Sequence, residues 1–251
     1  MITNSESGTR VDEIARGIYR ISTPIPPHAM PGGFSFNQYL VVDDEPLVFH
    51  TGPRGMFPLT SQAIATVLPL EKLRYIAFSH VESDESGALN DFLRVAPEAV
   101  PLCSHTAALV QINDLADRPP RAMNDGDTIS IGSRTLRWVA APHMPHNWET
   151  GYLFDESTRT LFCGDLFTQG GHDRAPLTSG DILEPAETFR ALEATMGMPP
   201  SWSIGRDTSA VFAKIAATNP ATLACMHGSA WSGEEGEASK LILALRDRIV
   251  G

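Results

Sequence analysis

The stretch YIAFSHVESDESGAL, residues 75–89, ends an apolar run in one histidine and three carboxylates, with His80, Glu82, Asp84 and Glu85 inside six positions. Carboxylates this close repel one another, and directly after a segment apolar enough to be buried that repulsion calls for a counter-charge. A metal cation is the chemistry that supplies one. Three other strand-like runs end the same way: RWVAAPHMPH delivers His143 and His146, TLFCGD delivers Asp165, and TLACMH delivers His227. Ligands at strand ends can meet at one sheet edge without disturbing a core. Imidazole mixed with several carboxylates suits iron, manganese or zinc, the carboxylate share favouring a harder ion, and a shared carboxylate can bridge two ions.

The elements that must position these residues follow from periodicity. GIYRISTPI alternates like a strand, PIPPHAMPGGF is a loop, NQYLVVDDEPLVFHTG reads as a β-hairpin turning at DDEP, LTSQAIATVLPL has helical spacing, LRYIAFSH is a buried strand, and ESGALNDFLRVAP is a helix stopped by proline. EAVPLCS is a strand, HTAALVQINDLA a helix, DTISIGS and TLRWVAAPH paired strands, and TGYLFDESTRTLFCGD a second hairpin. Helices at PAETFRALEATM, TSAVFAKIAAT and EASKLILALRDRI surround a last strand, ATLACMH. Strand hairpins mixed with helices over the whole length imply layered sheets covered by helices, with 1–14 a flexible N-terminal segment and 15–251 a single domain.

The 251 residues carry a formal charge of −11 with no Lys/Arg stripe, which argues against nucleic acid and against an anionic membrane surface as partner. Cys103, Cys163 and Cys225 are widely spaced, form no C-x-x-C pair and sit in apolar runs, the pattern of buried thiols in a reducing, cytoplasmic setting. No apolar stretch reaches membrane-spanning length, and the polar N-terminus lacks a signal-peptide core.

HVESDESG, with FSFNQYLV, HMPHNWET, FCGDLFTQGG and MHGSAW in that order, resembles the metallo-β-lactamase superfamily, whose usual signature is H-x-H-x-D-H followed by a distant His, Asp and His. Glu82 in place of the second histidine resembles the diiron branch, the flavodiiron oxygen and nitric oxide reductases and their relatives without flavodoxin. The resemblance spans roughly residues 15 to 250 and implies an α/β fold, the αββα sandwich of two mixed β-sheets covered by helices on both sides. It further implies two Fe ions, with zinc or manganese the alternatives. His80, Glu82 and His146 would hold one ion, Asp84 and His227 the other, and Asp165 would bridge them. Glu85 stands where the family usually has histidine, so it is either a further ligand or an acidic residue favoured by the first turn of its helix.

The implied activity is binding or reduction of dioxygen or nitric oxide with electrons from a separate donor, or oxygen sensing. The implied assembly is a homodimer. No Gly-rich phosphate loop follows a strand, so no flavin is expected in this chain. The rival reading is a dinuclear zinc hydrolase that lowers the pKa of a bridging water to attack an ester, thioester or phosphodiester. A site that only stabilises the fold is a third. Around the ligands, Trp148 is expected to pack and Glu149 to hydrogen-bond a ligand imidazole, while Phe34, Phe36 and Tyr39 are candidates for an apolar gas pocket. His28, His143 and His172 read as loop histidines, and His50 stands where relatives commonly carry aspartate with no role assigned.

Overall fold

The computed structural model describes residues 1–251 as two seven-stranded sheets packed face to face. The first runs in chain order: β1 (Arg10–Ala15), β2 (Ile18–Ile25), β3 (Phe34–Val41), β4 (Leu47–Phe49), β5 (Tyr75–Ala77), β6 (Val100–Ser104) and β7 (Arg121–Met123). It is antiparallel from β1 to β4 and parallel from β4 to β7. The second comprises β8 (Thr128–Ser130), β9 (Thr135–Ala140), β10 (Gly151–Asp155), β11 (Thr160–Phe162), β12 (Leu177–Thr178), β13 (Thr222–Ala224) and β14 (Ala230–Ser232), in the order β12-β14-β13-β11-β10-β9-β8. Both sheets are mixed, as expected.

Three apolar clusters make the four layers. Residues of both sheets, among them Tyr39, Phe49, Trp138 and Phe162, fill the space between them. Helices at Phe57–Ala65 and Leu89–Val95 cover the outer face of the first sheet, and helices at Thr208–Ala217 and Glu237–Val250 cover the second. Full burial of one such large side chain contributes about 1.5–3 kcal/mol, so the middle layer alone locks the sheets against sliding. Gly151 is required where β10 crosses β9, because a Cβ there would lie 2.3 Å from the Trp138 ring. Its N–H donates across the sandwich to the Ser79 carbonyl at 2.9 Å.

The two hairpins form as the alternation implies, but several elements differ from expectation. The segment 1–14 is not a loose lead-in, because Arg10–Ala15 forms β1, the edge strand paired with β2 from Arg10↔Ser22 to Ala15↔Ile18. Polar residues on the exposed face of that edge strand had hidden it. The expected helix over 85–97 is two short ones, Ser83–Ser86 and Leu89–Val95, broken at Ala88, whose N–H donates to Thr51 Oγ1 at 3.0 Å and the Gly52 carbonyl at 3.2 Å instead of continuing the helix. Strands β7, β12 and β14 are only two or three residues long and leave no periodic signal. No helix is long and apolar enough to cross a membrane.

Arg134 ties the sheets together at one end. Its Nη1 donates to Asp155 at 2.5 Å, its backbone N–H to Asp43 Oδ2 at 2.9 Å, and its Nη2 to the Arg16 carbonyl. Asp155 is fully buried and Arg134 nearly so. We expect Asp155→Ala to lower the unfolding free energy by about 3 kcal/mol, since it strands a buried guanidinium. Urea denaturation checks this, and a loss below about 1 kcal/mol, the scale of an exposed pair, would contradict it.

Candidate metal centre

The functional side chains come from loops at the other end of the sandwich, at the C-terminal ends of β5, β9, β11 and β13. The first supplies His80 and then Glu82, Asp84 and Glu85 around the short helix Ser83–Ser86, whose first turn carries the two acids. Leaving β5, the chain turns each of these side chains inward as a continuous helix would not. His146 stands in the β9–β10 loop. Asp165 lies in a 3-10 turn, Gly164–Phe167, that opens with Gly164 at φ +47° and would place a Cβ 2.7 Å from Ser79 Oγ. His227 follows β13, before Gly228 at φ +81°.

All seven expected residues converge. His80 and His146 bring their Nε2 atoms to 3.1 Å, and Glu82 Oε1 lies 3.1 Å from His146 Nε2 and 3.9 Å from His80 Nε2. His227 Nε2 lies 3.3 Å from Asp84 Oδ2. Asp165 stands between the halves, its Oδ2 at 3.7 Å from both His80 and His146 Nε2 and its Oδ1 at 3.1 Å from His227 Nε2. Glu85 is fully buried, 3.7 Å from His80 Nε2, and belongs to a ligand-spaced group on each side: His80–Glu85–Asp165 and Asp84–Glu85–His227. The third such group is His80–Glu82–His146.

The outer nitrogens decide what the centre needs. His146 Nδ1–H donates to the Ser201 carbonyl at 3.0 Å and His227 Nδ1–H to the Ser35 carbonyl at 2.9 Å, while His80 Nδ1 lies 2.9 Å from Ser79 Oγ. A carbonyl only accepts, so in the neutral rings of His146 and His227 Nε2 carries the lone pair that faces inward. Both oxygens of Glu85 are buried without a hydrogen-bond donor, and with His227 neutral so is Oδ1 of Asp165, 3.1 Å from its Nε2. Lone pairs thus meet lone pairs, and cations are what such a donor set accommodates.

The proton affinities report the same demand. Burial pulls the His146 and His227 imidazoles down, but Glu82 beside the first and Asp165 and Asp84 beside the second outweigh it, raising them to about 9 and about 10. For Asp165, burial is outweighed by the three imidazoles and its carboxyl is held low. Glu85 has no such relief: burial, then Asp165 and Asp84, push its carboxyl well above the usual range. His80 and His50 are lowered by burial, His50 to about 3, so its imidazole is neutral.

A half-open cavity of about 620 Å³ leads to the centre, walled by Phe34, Phe36, Met30, Phe189 and Trp202 together with Glu193. Phe34 stacks on the His227 ring at 4.2 Å. Tyr39 is instead core, donating to the Cys225 carbonyl at 2.6 Å. Glu149 hydrogen-bonds no ligand imidazole; its Oε1 accepts from Val81 N–H at 3.2 Å and Gln111 Nε2 at 3.4 Å, holding the chain between His80 and Glu82. Trp148 is 59% exposed rather than packed. His28, His143 and His172 are exposed and outside the donor groups. Sequence reasoning missed Ser79, Ser35 and Ser201, and the last two act through backbone oxygens that any residue would supply.

A family model described as "ODP family beta lactamase" matches residues 34–197. The coenzyme F420H2 oxidase of Methanothermobacter marburgensis is 32% identical over 147 residues, 55% of this chain and 35% of that protein. The nitric oxide reductase of Moorella thermoacetica is 30% identical over 144 residues, again 55% and 35%. The rubredoxin oxygen:oxidoreductase of Desulfovibrio gigas superposes with a TM-score of 0.73 at 18% identity, covering 94% of this chain and 60% of that one, a likeness of fold. The chain spans about a quarter to two fifths of the length of the curated relatives it matches.

Glu85 yields a test of the electrostatics. A carboxyl whose folded pKa is raised stabilises the metal-free protein fully below its ordinary value of 4.5, and that contribution is lost as pH rises through the folded value. Metal-free wild type should therefore lose stability relative to Glu85→Gln as pH rises from 5 to 8, by at most about 1.4 kcal/mol per pH unit. Parallel stability–pH curves in urea unfolding would contradict the assignment.

Proposed function

The chain belongs to the ODP family of β-lactamase-like domains, and from that premise we propose that it is a non-haem diiron protein that binds or reduces dioxygen or nitric oxide with electrons from a separate donor. The carrying observation is the set of inward-facing acceptors: three imidazole nitrogens and four carboxylates in two halves, with one carboxylate spanning both. In this reading His80, Glu82 and His146 would hold one iron and Asp84 and His227 the other, with Asp165 shared between the two groups and Glu85 a seventh ligand. Two irons held there would each supply one electron to a bound gas.

The protein's own groups do the rest. Phe34, Phe36 and Met30 line the approach with apolar surface, which favours a small neutral gas over water. Ser35 and Ser201 keep the Nδ1 protons of His227 and His146 outside the centre, so that both rings bind as neutral donors. Glu193, whose carboxyl is pushed up by burial and whose Oε2 accepts from Ser201 Oγ at 3.1 Å, places an acid–base group on the cavity wall.

The cavity volume favours a second reading, since about 620 Å³ falls in the range of pockets for small organic molecules. That reading is the dinuclear zinc hydrolase acting on an ester, thioester or phosphodiester. The carboxylate-rich donor set weighs against it.

Protein made in iron-replete cells and purified without air should carry close to two irons per chain. In an oxygen electrode the reduced protein should consume roughly one dioxygen per site and then stall until a reduced flavoprotein or rubredoxin-type donor is added. Asp165→Ala should abolish uptake and metal retention together. Zinc dominant despite abundant iron, with brisk thioester hydrolysis, would give the function to the second reading.

A further inference from the structure

His50 immediately follows β4 and is fully buried, yet none of the metal-spaced groups includes it. Its backbone sits at φ +67°, a conformation that residues with a Cβ take rarely and keep where surroundings hold them. Its N–H donates to the Ala77 carbonyl at 2.7 Å, which fixes it beside the chain that leads to His80. The ring then faces both halves of the centre: Nε2 lies 3.0 Å from Ser79 Oγ and Nδ1 lies 2.9 Å from Met226 Sδ. Ser79 and Met226 immediately precede His80 and His227.

One arrangement of protons satisfies every contact. With His80 Nε2 turned to the carboxylates as an acceptor, its Nδ1–H donates to Ser79 Oγ at 2.9 Å. The single hydroxyl proton of Ser79 then goes to His50 Nε2, which leaves Nδ1–H of the neutral His50 ring for the thioether of Met226. No water is needed, and none of the three groups on the first sheet is left without a partner.

We propose that His50 is a positioning residue that orients the His80 imidazole through Ser79 and sets the spacing between the two ligand-bearing loops through Met226. It rests on the metal reading of the site. The relay runs from a ligand to a neutral imidazole, so it orients His80 without adding a fifth negative charge to Glu82, Asp84, Glu85 and Asp165. Those four carboxylates already match the charge of two divalent ions. Ser79 is anchored in its turn by its carbonyl, which accepts from Gly151 N–H at 2.9 Å, so the relay stands on both sheets.

Cobalt(II) titration of the metal-free protein, with a competing chelator and the visible spectrum as readouts, tests this. His50→Ala and Ser79→Ala should each weaken cobalt binding by about 10–100-fold and alter the spectrum. The double variant should be no worse than the more affected single one, because the two residues act as one relay. His50→Gln, whose amide oxygen reaches the place of Nε2, should recover most of the affinity. Wild-type affinity in both alanine variants, or a double variant whose loss is the product of the single ones, overturns the proposal. So does reduced metal-free stability with unchanged cobalt affinity, which would mark His50 as packing alone. If His50→Ala does not fold, Ser79→Ala decides by the same readouts. Absence of cobalt binding by the wild type overturns the metal reading and this inference together.

Discussion

Everything at the open end of the sandwich is arranged around a cavity into which the protein directs hydrogen-bond acceptors. The Nδ1 protons of His146 and His227 are spent on backbone carbonyls, and His80 Nδ1 is occupied by a hydroxyl. Their other nitrogens face four carboxylates, and two of those carboxylates have buried oxygens without any donor. Such a constellation is costly in a low-dielectric interior unless positive charge enters it. Where none is present, protons are drawn to His146 and His227, raising both well above the ordinary imidazole range.

Holding that cavity open against its own repulsion requires rigid support, and the sheets provide it from both sides. The loop that bears His227 belongs to the second sheet, yet side chains of the first fasten it. Asn37 Nδ2 donates to the Cys225 and Gly228 carbonyls at 3.0 and 2.9 Å, Tyr39 donates to the Cys225 carbonyl, and Arg20 Nη2 donates to the Gly228 carbonyl at 2.7 Å. Thr51 and Gly52, just past β4, fasten the helix of Asp84 and Glu85 through the Glu85 carbonyl and the Ala88 N–H. The Arg134 cluster clamps the opposite end. A centre assembled from both sheets is therefore only as well defined as their packing, and the interlocked aromatic layer, with Phe49 and Phe162 rings 5.2 Å apart, supplies that definition.

Access follows from the same layout. Because the converging histidines and carboxylates follow strands instead of lying within them, one side of the centre faces a cavity walled by loop residues and by the helix Leu183–Thr195, which contributes Phe189 and Glu193. Phe34 serves two purposes there. It packs on the His227 ring and on Phe189 at 4.9 Å, coupling His227 to the cavity wall.

The sequence by itself determined the types and order of the converging donor side chains and the layered-sheet class. Strand alternation followed by His80, His146, Asp165 or His227 is a local signal, and a carboxylate cluster after an apolar run is intelligible without coordinates. It could not decide Glu85, because an acid in a first helical turn satisfies the helix dipole as readily as a metal; the burial of both its oxygens without a donor is a tertiary fact. Nor could it assign His50, whose partners Ser79 and Met226 lie 29 and 176 positions away. Strands β1, β7, β12 and β14 escaped for a related reason, being edge or very short segments whose pairing depends on neighbours already in place. Chemistry that resides in side-chain identity can be read along the chain. Orientation, burial and hydrogen-bond partnership depend on where distant segments meet, so only the folded structure decides them.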